Sequence, residues 1–449
     1  MARGTRELTL VTAVVVGIAL VLGAVIPSCS AANPRVTLVH WGYSGHGQGW
    51  RDFIDEAAKE FMKLYPDIKI EILVSADTSE YVPKFLSMVA GGAQVDVTEW
   101  TAQSASAVGL AQQGYFLDLH QFIGKDKDFD LNLWPSAAIS AFTLGNVLWG
   151  VPLDLYLWLN WYNEDLFDAA GVMNPNQLGE KWDWDNMVRA AQKLTVDKNG
   201  DGQPEQYGID RVANYWNYGL AVLQAGGWWY DRLQFPTKSR FNSSEVRQAL
   251  DFCVDLFNKY KVTQHLSLPW STQQQFFFWT GKTAINITDG PGWPNMATVP
   301  FRWDVTQPVK GPGGPRTKVG VTGFQIAAQT KYPNEAWQWV KFLTMRKESV
   351  LRWMKQTGRF PALKSAQTEY GTTVPVVAKS WRIMLAVGAS QYTSPPDINP
   401  VPGMPDRNAI LTDVVLGKRS AAEALQTAHE TAEAAFQKYA AEQAAAKKN

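Results

Sequence analysis

"GVPLDLYLWLNWYNEDLF" (Gly150–Phe167) is the stretch whose reading decides the fold. From Leu153 to Trp161 it is apolar apart from Asp154 and Asn160, and it carries Tyr156, Trp158 and Trp161. Asn163-Glu164-Asp165 then supplies helix-starting chemistry, a capping amide followed by acids that suit a helix N-terminus. So much aromatic surface in one run belongs inside a folded protein. Strand alternation puts Leu155, Leu157, Leu159 and Trp161 on one face and Tyr156, Trp158 and Asn160 on the other. Both faces are apolar, as in a central strand covered by helices on each side.

The segments upstream supply that kind of sheet. "RVTLVHW" (Arg35–Trp41) reads as a buried strand that ends in a Gly-rich loop, and the following helix repeats Phe53, Ile54, Ala57, Phe61 and Leu64 before Pro66 stops it. "IKIEILV" is a second strand, "SEYVPKFLSMVAGG" a helix closed by Gly91-Gly92, "VDVTEW" a third strand and "SAVGLAQQGYF" another helix. Strands alternating with helices of this length predict parallel βαβ units. Downstream, "WDWDNMVRAAQKLT" predicts a helix capped by Asp183 or Asp185, with Met187, Ala191 and Leu194 inward. "NSSEVRQALDFCVDLFNKY" places Val246, Leu250, Cys253, Phe257 and Tyr260 on one face, so Cys253 reads as core. "VGVTGFQIAA" is a strand, "NEAWQWVKFLT" a helix capped by Asn334, and Ser420-Ala-Ala-Glu423 a capping box opening the last helix.

A chain of 449 residues exceeds one core and predicts two or three domains. Lys+Arg and Asp+Glu balance at 42 each, which argues against nucleic acid or an anionic membrane surface as the main partner. Twenty Trp are far more than ordinary use, and each must bury a large ring and place a polar N–H, so some are expected to face a cleft. At the N-terminus, Arg3 and Arg6, the apolar run Thr9–Ile26 and "PSCSAAN" form an export signal. Ile26-Pro27-Ser28-Cys29 looks like a lipobox that would make Cys29 the acylated mature N-terminus. Ordinary cleavage near Ala31-Ala32 and an uncleaved anchor are the alternatives, and all three export the remainder. Cys253 is left without a partner for a disulfide.

Taken in order, the first strand ending in Trp41, "FIDEAAKEFMKLYPDIKIEI", "YVPKFLSMVAGGAQVDV", "LAQQGYFLDL", "GVPLDLYLWLNWYNEDLFDAAGV", "WDWDNMVRAAQKLTVDKNGDGQPEQYGI", "FFFWTGKTAINITDGPGW", "NEAWQWVKFL" and "GKRSAAEALQTA" resemble the family 1 extracellular solute-binding proteins of bacterial ABC importers, the maltose-type group. The resemblance runs from about residue 36 to about residue 436, and departs in Val95 before Asp96 and in the Trp load. It implies an α/β, two-lobed periplasmic-binding-protein fold (type II) with the ligand between lobes joined by crossovers. Residues 36–153 with 319–366 would form one lobe, 154–318 with 367–440 the other, and 441–449 a polar tail, after a signal segment 1–29. In that frame Leu153–Trp161 is the strand entering the second lobe, with Asp154 and Tyr156 opening onto the cleft and Trp158 packing. The partners implied are a carbohydrate and a membrane permease, with the protein monomeric and tied to the membrane by its lipid.

A pyranose offers an apolar C–H face for an aromatic ring and a rim of hydroxyls for charged or amide groups. The candidates are therefore aromatic and polar residues where strands end, since open α/β sheets bind ligands there. They are Trp41 and Tyr43 after the first strand, Glu99 and Trp100 after the third, and Asp154 and Tyr156 at the crossover. The second lobe offers Tyr215, Trp216, Trp228 and Trp293, and Arg359 in "TGRFPA" is a candidate clamp. Trp293, in "TDGPGWP", resembles the family's stacking Trp and is the strongest single candidate. Asp197, Asn199 and Asp201 start like a calcium loop, but Gly208 stands where the bidentate Glu is needed, so a metal-free turn is the simpler expectation and no other cofactor is implied. Two rival classes remain: a glycoside hydrolase recruiting Glu99 and Asp154 as an opposed acid pair, and a surface scaffold. Within the family, a polyol-phosphate ligand of the glycerol-3-phosphate type is the alternative to a neutral sugar.

Overall fold

The computed structural model describes residues 34–446, apart from 44–46, 76–77, 103, 211, 213–214, 288–298, 391–392, 395–398 and 400. The export segment with Cys29, and Trp293, lie outside the described residues. Among the described residues no helix is long and apolar enough to cross a membrane.

Strands Val36–Tyr43 (β1), Ile68–Ser75 (β2) and Val97–Thr101 (β3) alternate with helices Gln48–Leu64 and Thr78–Ala90, and β1 pairs in parallel with both β2 and β3. The predicted βαβ units are therefore present. Helix Gln48–Leu64 buries Trp50, Phe53, Ile54, Ala57 and Phe61, but Leu64 in its last turn is exposed, because the helix ends before that residue reaches the sheet. A hairpin of Thr143–Leu144 (β4) and Val147–Leu148 (β5) leads into Val151–Leu157 (β6). The second lobe holds Asn160–Asn163 (β7), Tyr207–Asp210 (β8), Thr283–Asn286 (β9) and Trp303–Thr306 (β10). The chain then returns as Thr317–Ile326 (β11), Phe360–Pro361 (β12) and Thr393–Ser394 (β13).

The large sheet has the order β12-β6-β11-β3-β1-β2, with β13 beside the start of β11, and the small sheet the order β10-β7-β9-β8. The run Leu153–Trp161 is thus two strands in two sheets. Beside Leu157 the partner strand β11 has only just begun, and after the Trp158 N–H bonds the Lys318 carbonyl the chain turns away through Leu159 to β7. A second crossing lies between β10 and β11, and a third follows β13. Sheet membership therefore departs from the expected boundaries: 154–157 and 317–318 lie in the large sheet, and Tyr370, Trp381, Met384 and Val387 pack in the cluster of that sheet.

There are two apolar clusters, one around the large sheet that extends to Trp161, Phe278 and Val305 on the small-sheet side, and one around β8, β9 and helices Trp184–Leu194, Ser244–Asn258 and Ala421–Ala446. Asp183, not Asp185, caps its helix, accepting the Asn186 N–H at 2.8 Å. Ser420 and Glu423 form the capping box reciprocally, at 2.9 and 3.2 Å. Asn334 does not cap: Pro333 takes the first helical position, where a missing N–H costs nothing, and Asn334 lies inside the first turn. Cys253 is core, and burial pushes its thiol up to about 12.

Candidate functional site

Strand direction locates the site. β1, β2, β3 and β6 all end at the level where the chain crosses, and β11, running opposite, begins there. In the small sheet β8 and β9 are parallel, and β7 runs against β9 away from the crossing, so β8 and β9 also end at the crossing. Both sheets point their C-terminal strand ends at one gap, the position open α/β sheets use for ligands.

On the large-sheet wall, register assembles the polar groups. Glu99 lies opposite Phe324 and Asp154 opposite Thr322, two residues apart on β11, so the two carboxylates share one face. A register shift beside Leu153 re-aims Asp154, the ordinary effect of a bulge. Arg359, just before β12, reaches Asp154 Oδ2 at 3.2 Å, with its guanidinium 5.7 Å from the Tyr156 ring and 5.7 Å from the Trp353 ring. The Trp50 indole N–H donates to Glu99 Oε2 from the first turn of helix Gln48–Leu64. Asp154 is fully buried and does not open freely onto the gap as expected; β6 runs toward the crossing, so Tyr156, half-exposed, is the nearer residue.

These charges are tuned by burial. Burial pushes Glu99 up to about 8; the Trp50 N–H and Arg359 oppose this and Asp154 reinforces it, so Glu99 holds a proton at neutral pH. Burial likewise raises Asp154, against the attraction of Arg359 and hydrogen bonds from Thr322. Burial, the largest single influence, works against the Arg359 cation, but Asp154 with Tyr156 and Glu99 together hold the guanidinium above its ordinary value. The group can donate from a neutral acid and a guanidinium and accept at a carboxylate, the set that a hydroxyl rim requires.

The remaining candidates separate. Trp41 is buried and stacked on Tyr81 at 5.3 Å, and Trp100 is buried edge-on to the same ring at 4.5 Å. The Tyr81 hydroxyl sits 2.9 Å from the carbonyls of both Trp41 and Glu99, so these rings and this phenol tie β1 to β3 on the face opposite Glu99. Tyr43 ends β1 half-buried, edge-on to Tyr81 at 5.9 Å. Trp228 is buried in the small lobe with the Lys318 ammonium 4.5 Å from its ring centroid, and Lys318 also lies 6.0 Å from the Trp158 ring. Tyr215 and Trp216 open helix Tyr215–Gln224, but their side chains, like Trp293, fall outside the described residues. Sequence reasoning passed over Trp50 and Lys318. The signal for Lys318 was a lone cation in an apolar strand; Trp50 gave none, since it continues the helical stripe.

In the Asp197–Gly202 turn the carboxylates serve backbone amides: Asp197 accepts the N–H groups of Gly200 and Gly202 at 2.8 and 2.9 Å, and Asp201 that of Gln203 at 2.7 Å. Among the described residues no group of three or more His, Cys, Asp or Glu side chains is placed to hold a metal ion.

Residues 45–348 match the bacterial extracellular solute-binding proteins, and the chain belongs to that family. Solved structures share the fold. An ABC substrate-binding protein from Listeria monocytogenes in complex with cycloalternan is 23% identical, with a TM-score of 0.71, over 88% of this chain and 97% of that one. A cyclic α-maltosyl-1,6-maltose binding protein from Arthrobacter globiformis is 19% identical, with a TM-score of 0.71, over 90% and 100%. A maltose/maltodextrin-binding domain from Bdellovibrio bacteriovorus, bound to maltotriose, is 17% identical, with a TM-score of 0.67, over 89% and 100%. The protein has the two-lobed α/β periplasmic-binding-protein fold.

Proposed function

We propose that the protein is the extracytoplasmic solute-binding subunit of an ABC importer, which captures a neutral di- or oligosaccharide between its lobes and delivers it to a membrane permease. One observation carries the reading: both sheets aim their strand ends at one gap, and its large-lobe wall holds Glu99, Asp154, Arg359 and Tyr156 together. The sugars named in the Listeria, Arthrobacter and Bdellovibrio complexes support the ligand class. Tyr43, Tyr156 and Arg359 are the wall residues assigned to solute, and Trp293, Tyr215 and Trp216 are retained as ligand candidates, Trp293 as the stacking ring. Trp41, Trp100 and Trp228 support the wall from behind. The solute shifts a two-state equilibrium by binding the closed form better than the open one. We assign the lobes as 36–157 with 317–389, and 160–306 with 401–440, joined by the three crossings. The export signal would place the protein outside the cytoplasmic membrane, held by acylated Cys29 and working as a monomer.

A hydrolase needs two acids facing each other across the bond to be cut. Glu99 and Asp154 share one face of one sheet, Asp154 is paired with Arg359, and Glu99 with Trp50, which favours binding over turnover. A polyol phosphate is the second reading, on the strength of Lys318 at the crossing between Trp158 and Trp228. A thermal-shift screen across sugars, polyols and glycerophosphodiesters tests the class, followed by calorimetry on the best solute. Trp293→Ala is expected to weaken binding by more than about 1 kcal/mol, the cost of losing an aromatic anchor. Stabilisation by no sugar, or release of shortened product, would sink the proposal.

A further inference from the structure

The hairpin after Trp228 reaches beyond its own core. Its base belongs to the small lobe: Trp229 and Tyr230 are buried in that lobe's cluster, Tyr230 bridges to Ser239, and the Ser239 N–H donates to Glu433 at 2.6 Å. Asp231 pins the neck, accepting the Thr237 N–H and hydroxyl, both at 2.9 Å, and the Lys238 N–H at 3.1 Å. The tip departs. The Gln234 amide donates to the Ser140 carbonyl at 2.9 Å, on helix Ser136–Ala141 of the large lobe. Phe235 packs against the cluster that contains Ala138, Ala141 and Phe142, which also takes in Trp161, Phe278 and Val305 from the small-sheet side. Its φ is 51°, a left-handed conformation that a bulky side chain avoids, and Pro236 follows. Behind the tip lies a cavity of about 370 Å³, walled on the small-lobe side by Val401, Phe436, Tyr439 and Ala440 and bordered by Phe235 itself.

We propose that residues 232–236 are a latch for the closed form. Closed, Gln234 engages the large lobe and Phe235, seated on the shared cluster, is held in its unfavourable backbone conformation. As the lobes part, Gln234 leaves Ser140, and Phe235 relaxes and turns its ring into the cavity of its own lobe. The ring thus has a seat in each state, the second between Val401, Phe436 and Tyr439 with Glu433 and Gln437 at its side, which makes the tip bistable rather than loose. This latch rests on the capture reading above and regulates the same gap. It is built from residues other than the Glu99, Asp154 and Arg359 group, so it biases closure whatever the solute and sets residence time rather than selectivity.

Three variants of the full chain test it: Gln234→Ala, Phe235→Ala and Ala440→Phe, which narrows the cavity. Small-angle scattering without solute reads the closed fraction, and stopped-flow Trp fluorescence with maltotriose reads dissociation. Gln234→Ala and Phe235→Ala should raise the radius of gyration and speed maltotriose release about fivefold each, the scale of one net hydrogen bond or a small apolar contact. Ala440→Phe should do the opposite, compacting the free protein and slowing release, because the ring has nowhere to retreat. Circular dichroism confirms folding, and if one variant fails to fold the other two carry the test. Scattering curves unchanged in the folded variants would overturn the latch. Failure of maltotriose to bind the wild type would count against the sugar reading alone, and the scattering comparison would still decide the latch.

Discussion

Replacing Glu99 by Gln tests the electrostatics of the wall. The folded protein holds the Glu99 carboxyl at about 8, against an ordinary value of 4.5, with burial the largest cause. Between those values the folded state keeps a proton that the unfolded chain has released. The sign follows: the contribution is favourable and intact below pH 4.5 and is lost as pH rises toward 8. Each unit of separation is worth about 1.4 kcal/mol, so from pH 6 to pH 8 wild type should lose about 2–3 kcal/mol through this group alone. Glu99→Gln keeps the shape and an oxygen to accept the Trp50 N–H, but has no proton to lose. Urea unfolding followed by Trp fluorescence at half-unit steps from pH 5.5 to 8.5, in both proteins, isolates the residue by difference. Other titrating groups cancel in the difference, among them buried His40, which is held down to about 3 in the folded protein and charges in this range only in the unfolded chain. Parallel pH profiles for the two proteins would refute the assignment.

Three further outcomes are expected. Arg359→Met strands the buried Asp154 carboxylate and should cost about 3–5 kcal/mol in chemical denaturation, most of it recovered in Asp154→Leu/Arg359→Met; a double variant as unstable as the single one would contradict the pairing. Asp304 accepts the Ser380 N–H at 2.8 Å and hydroxyl at 2.6 Å and the Asn176 amide at 3.1 Å, so Asp304→Ala should cost about 1–3 kcal/mol by orphaning them. Its proteolysis should begin near Ser380, which that carboxylate ties to the small sheet. The Cys253 thiol, buried and raised to about 12, should resist a disulfide-exchange reagent at pH 8 until the protein unfolds; labelling at the rate of an exposed thiol would place it outside the core.

Much of the architecture was legible, because burial leaves a local trace. Alternation in Ile68–Ser75 and the helical stripe from Phe53 to Phe61 are consequences of each element touching one wall, and they appear where expected. What local pattern does not encode is the identity of the wall. Leu153–Trp161 is apolar on both faces whether it stays in one sheet or passes between two, so the break at Trp158–Leu159 was invisible. The same limit governs the site. Glu99, Asp154 and Arg359 stood out as charges beside apolar strands, and register brings them together. Trp41 and Trp100 satisfied the same strand-end rule yet are packing residues, because Tyr81 from a neighbouring helix covers them. Trp50 was hidden for the converse reason: a ring on a helical stripe looks like core until a carboxylate is found on its N–H.

The position of β11 in the middle of the large sheet also bears on how the polypeptide reaches its destination. Thr98 meets Gln325 across a separation of 227 residues, so β3 has no inner neighbour until synthesis has passed the whole second lobe. Contacts this distant form slowly, because a long loop must close before they reward the chain. A nascent polypeptide with its central strand still missing cannot consolidate a core. It stays threadable until β11 has been made, the condition that passage through a membrane requires of a chain.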